Sequence, residues 1–149
     1  MFQPTREEVR RFFCGAWSKH LQGGAPSAQE RIAIACMLEH PEYHELLSDL
    51  QEALARDFPV EAGRENPFLH LALHVALEEQ ESIDQPAGIR ALLERLRLRL
   101  GDRHEAAHEA MECLGEILWR SQRGTLAPDM DIINRAYIEC LERRLGAGR

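Results

Sequence analysis

Seven histidines occur in 149 residues, and six fall in pairs four residues apart: His40/His44, His70/His74 and His104/His108. On a helix such a pair shares one face, with Cβ atoms about 5–6 Å apart, so both imidazoles can reach one metal ion. Two pairs continue into a carboxylate at the same spacing. His70, His74 and Glu78 make one stripe; His104, His108 and Glu112 make another. Metal sites in helix bundles combine these two ligand types from facing helices. The six residues are therefore the candidate ligands of a divalent metal, Zn or Fe, as a mono- or dinuclear centre. His40, His44, His20 and Tyr43 are candidate further ligands or supporting groups. His40 precedes Pro41 and reads equally as a cap residue. His20 falls on the apolar side of its helix, beside Phe13 and Trp17.

The competing reading is a set of structural histidines, hydrogen-bonded to glutamates in a non-enzymatic interaction or scaffold protein. The string His104-Glu105-Ala106-Ala107-His108 also fits His-Glu-x-x-His, in which two histidines bind zinc and the glutamate is a general base. A zinc protease is set aside, because it leaves His70 and His74 unexplained. Whether the chain is an enzyme is left open. No Gly-rich phosphate loop or nucleophile elbow is present.

These side chains need helices to carry them. No segment alternates with period two, whereas apolar residues recur at helical spacing throughout. Thr5 with Glu8 and Ser27 with Glu30 are capping boxes, opening helices to about Leu21 and Leu38. Pro41 opens a helix to about Arg56, and Asp57 to Glu65 is a surface connection. Asn66-Pro67 opens a helix to about Ser82, apolar on most sides except a narrow sector holding His70 and His74. Further helices run from Gly88 to Leu100, from Asp102 to about Arg123, and from Pro128 to about Leu145. His104 and His108 border the apolar arc of the Asp102 helix, with Gly115 leaving room for a neighbour. The fold class is all-α: a single-domain bundle of six or seven helices over residues 1–145, with a frayed tail at 146–149.

Composition narrows the rest. The net charge of -7, from 18 Lys+Arg against 25 Asp+Glu, argues against nucleic acid as a partner. The arginines from Arg90 to Arg103 read as a solvated helix face, and Asp84 with Arg90 as an ion pair. No apolar run is long enough to span a bilayer. The N-terminal residues lack a signal core, so a cytoplasmic location is expected. Cys14, Cys36, Cys113 and Cys140 lie far apart among apolar neighbours and read as buried thiols. Trp17 and Trp119 read as core or interface residues, and self-association is open.

Long strings carry a resemblance. His40-Pro41-Glu42-Tyr43-His44, Asn66-Pro67-Phe68-Leu69-His70 and Ile83-Asp84-Gln85-Pro86 are three of them. Gly88-Ile89-Arg90, His104-Glu105-Ala106 through His108, and Glu112-Cys113-Leu114-Gly115-Glu116 are others. With them, the chain resembles a small proteobacterial family of all-helical proteins whose domain has no assigned function. The resemblance runs from Phe2 to about Leu145. It implies the helical fold but no activity and no residue role.

Overall fold

The computed structural model describes residues 5–58 and 66–146. The expected connection beyond Phe58 and the tail beyond Gly146 lie outside the described residues. The chain divides into two compact units, Met1–Val75 and Ala76–Arg149.

In the first unit, α1 spans Arg6–Leu21 and α2 spans Ala28–Leu38. Both capping boxes form: Thr5 and Ser27 accept from the Glu8 and Glu30 amides, and each glutamate reaches back to the cap amide. A 3₁₀ turn at Pro41–Tyr43 leads into α3, His44–Leu47, and α4, Leu50–Ala55. The helix α5 begins at Pro67 and ends at Ile83, so the division between the units falls within it. Asn66 caps α5 by accepting from the Phe68 and Leu69 amides at 3.0 and 3.2 Å. Phe13, Ala16, Trp17, Ala33, Met37 and Leu71 form the centre of this unit's apolar core.

The second unit holds α6 (Ile89–Leu100), α7 (Arg103–Gln122) and α8 (Met130–Gly146), which pack against one another. Gly101 closes α6 with φ 70°, a left-handed conformation that suits glycine. Asp102 caps α7 through the His104 and Glu105 amides. Ile89, Leu93, Leu96, Ile117 and Leu141 are almost fully buried.

The described residues contain eight α-helices, which corrects the expected six or seven. The extra one arises where a single helix was expected from Pro41 to Arg56. Asp49 carries a start signal inside that stretch: its carboxylate accepts the Glu52 amide at 3.1 Å. Ser48 meanwhile donates its hydroxyl to the His44 carbonyl. Local side-chain bonds thus outcompete the continuous ladder and split it into α3 and α4. The far end of α4 is held by Arg10, whose Nη1 donates to the Ala53 and Arg56 carbonyls at 2.7 and 2.6 Å.

Two more expectations change. Cys113 and Cys140 form a disulfide between α7 and α8, with Cα atoms 5.8 Å apart. Only Cys14 and Cys36 keep their thiols. Both members of the pair sit on apolar faces of adjacent helices, and burial alone could not reveal that the faces meet. Asp84 and Arg90 also do not form the expected ion pair. Asp84 accepts the Arg90 amide at 2.9 Å near the start of α6, while the Arg90 guanidinium donates to the Glu81 and Ser82 carbonyls near the end of α5. No described helix is long and apolar enough to cross a membrane.

Candidate metal centre

The centre is built in the first unit from the end of α2, the turn after it, and the face of α5. Pro41 starts the 3₁₀ turn and directs His40 inward, where the residue is 3% exposed. His40 Nδ1 lies 2.7 Å from the Cys36 carbonyl oxygen, so Nδ1–H donates there and Nε2 is the nitrogen left for the centre. A bond from the far ring nitrogen to a backbone carbonyl is how metal-ligating histidines are oriented. One α-helical turn separates His70 and His74 on α5. Nε2 of His70 lies 3.2 Å from Nε2 of His40. The His74 ring centroid is 4.8 Å from both others, and solvent does not reach its Nε2. Each ring offers a ligand nitrogen within 4.8 Å of the others, and the metal-competent set contains no carboxylate among the described residues. Tyr43 stacks on His40 at 5.4 Å and closes the side toward the 3₁₀ turn.

The dimensions suit a metal. Two nitrogens bound tetrahedrally at about 2.0–2.1 Å from one ion stand about 3.3–3.4 Å apart. The 3.2 Å between His40 and His70 needs little adjustment to meet that. An all-imidazole set selects borderline ions such as Zn, Fe, Ni or Cu over Mg or Ca.

A family model described as Domain of unknown function (DUF1841) matches residues 5–143. The chain belongs to the DUF1841 family. Neither a curated protein nor a solved structure matches it. The DUF1841 assignment names no activity and no site residue, so the site rests on geometry.

The other candidates in this DUF1841 chain have their own surroundings. His44 stacks on Trp17 at 4.2 Å, and its Nε2 lies 2.7 Å from the Met37 carbonyl. With His40 on the Cys36 carbonyl, the two histidines hold the last turn of α2, which contains no basic residue of its own. His20 is exposed and lies at 5.3 Å from the Trp17 ring, not buried on the apolar side as expected. In the second unit, His104 is exposed and lies against half-buried His108, with ring centroids 4.1 Å apart and planes tilted by 59°. Solvent does not reach His108 Nε2. Glu112 meets Arg144 at 2.7 Å and Glu78 lies 3.7 Å from Arg103, so arginines face both carboxylates proposed as ligands. A Cβ at Gly115 would meet nothing within 4 Å, so the room left there is open space.

Sequence spacing paired His40 with His44 because they are four residues apart. Within the first unit, His40 instead joins His70 and His74 across 30 residues. The signal that could have found this is Pro41, which ends α2's register and turns His40 off the helix face.

Proposed function

We propose that the protein is a metal-binding protein whose buried centre holds one divalent ion on His40, His70 and His74. The observation that carries this reading is the 3.2 Å approach of two Nε2 atoms beside a third, solvent-shielded imidazole. Clustering three imidazoles is unfavourable for any protonated member and favourable for a shared cation. Zn or Fe fits the nitrogen set. A mononuclear centre is favoured, since arginines already face the carboxylates that would bridge two ions. With three nitrogens the ion keeps a position for water, which zinc would acidify.

The test is elemental analysis of protein purified without a polyhistidine tag, then reconstituted with Zn or Fe. One ion per chain, lost in His74→Ala, supports the reading. Absence of stoichiometric metal in both preparations overturns it.

A second reading has its own observation. His40 and His44 both cap α2, so the histidines also serve as structural hydrogen-bonding groups of a scaffold protein. Exposed Leu118, Trp119, Met130 and Ile132 support self-association in either case. We further propose that nucleic acid is not the partner: the net charge is -7, and Arg90, Arg97 and Arg99 already bond to Glu81 or to backbone carbonyls. A cytoplasmic setting is part of the proposal. Rapid thiol trapping on lysis checks it, because a fully oxidised Cys113–Cys140 pool would point to an oxidising compartment.

A further inference from the structure

A second site lies in the first unit, independent of the histidines. A cleft of about 630 Å³ is lined by Val9 and Arg10 of α1, by Phe58, and by Phe68, Leu69 and Ala72 of α5. That volume is in the range of small-molecule sites, about 300–1,000 Å³. Its walls are mostly apolar, and one of its three charged members, Arg10, is unusual. Arg10 is 3% exposed, yet no carboxylate among the described residues stands within ion-pair distance of it. Asp57, the nearest acid on the rim, is engaged with Arg6 at 2.8 Å. Arg10 instead directs Nη1 to two carbonyl oxygens and lies over the Phe68 and Phe58 rings at 5.1 and 5.5 Å. A buried guanidinium without a counter-ion is costly, and an anion that reaches it through the cleft relieves that cost.

We propose that this cleft binds a small carboxylic acid, its carboxylate on Arg10 and its apolar body against Val9, Phe68 and Ala72. Arg6 and Asp57 on the rim neutralise each other, so Arg10 leaves the cleft with one net positive charge, which favours a monoanion over a phosphate dianion. The aromatic rings hold the guanidinium in place and leave its free edge to pair with a planar carboxylate.

Octanoate is the probe, 1-octanol its neutral control and inorganic phosphate its polar control, with binding read by calorimetry on the full chain. Saturable octanoate binding, at least tenfold tighter than octanol and phosphate, is expected. Arg10→Met should abolish the preference for octanoate over octanol. Because Arg10 also caps α4, Ala72→Phe is the second variant: it fills the cleft without touching the cation and should cut octanoate affinity at least tenfold. Equal binding of octanoate and octanol, no saturable octanoate binding, or full affinity in Ala72→Phe each overturns the proposal.

Discussion

His40 touches α2 with one ring nitrogen and His70 with the other: Nδ1 meets the Cys36 carbonyl at 2.7 Å and Nε2 meets His70 Nε2 at 3.2 Å. The first contact fixes the tautomer, and the second presents the remaining nitrogen to α5. His70→Ala or His74→Ala should therefore lower bound metal and melting temperature together. Excess Zn should raise the melting temperature of the parent chain, by about 2.7 kcal/mol of stability at a hundredfold excess over the dissociation constant. Imidazoles bind metal only when neutral, so this stabilisation should fade on acidification. Melting curves unchanged by metal at neutral pH would contradict the assignment.

His44 separates the capping role from the metal role. Its ring bonds the Met37 carbonyl and stacks on Trp17, and it takes no part in the cluster around His40. His44→Ala should cost about 1–2 kcal/mol, the scale of a lost cap and its hydrogen bond. Metal content per chain should stay at the parent value. A fall in metal content would make His44 a ligand.

The disulfide closes 27 residues between α7 and α8. Chain-entropy arguments assign such a loop roughly 3–4 kcal/mol. Denaturant unfolding of Cys113→Ser should show a loss of that order, and the parent chain in strong reductant should approach it. Equal stability in oxidised and reduced protein would show that the bond does not constrain the fold.

Two helical glycines offer gains. A Cβ at Gly15 in α1 or at Gly115 in α7 would meet nothing within 4 Å. Alanine at either position should stabilise by about 0.5–1 kcal/mol, since it restricts the unfolded chain without a clash. Thermal or denaturant unfolding reads the effect directly, and destabilisation would place an unseen constraint at that position.

Acid sensitivity should pass through Glu81. Arg97 grips its carboxylate with two bonds of 2.6 Å and holds its pKa below the ordinary value of 4.5. A carboxyl with a lowered folded pKa stabilises the fold above its unfolded pKa, and loses that contribution as pH falls through the folded value. Glu81→Gln should therefore flatten the stability profile below about pH 4.5 while lowering stability near neutrality. A profile parallel to that of the parent would remove Glu81 from the acid response.

Helices were legible where a local signal was complete. Thr5 with Glu8, Ser27 with Glu30, and Asp102 each mark a start that the structure keeps. The break at Ser48-Asp49 was harder, because Asp49 is an ordinary polar residue until its carboxylate takes the Glu52 amide. Periodicity placed His70 and His74 in the polar sector of α5, and the cluster forms there. It could not place His40, whose role depends on a turn, nor join Cys113 to Cys140, which depends on how two helices face. Helical spacing reports one face of one helix; partners from separate elements leave no mark at that period.

His40 also ties ion release to the dynamics of α2. If the metal leaves and the ring rotates, the Cys36 carbonyl loses its imidazole donor along with the centre. The amides of Glu39 and His40, which bond to Cys36 and Met37 at that helix end, should then exchange hydrogen faster in stripped protein. Isotope exchange at two backbone positions thereby becomes a gauge of occupancy that needs no spectroscopic metal.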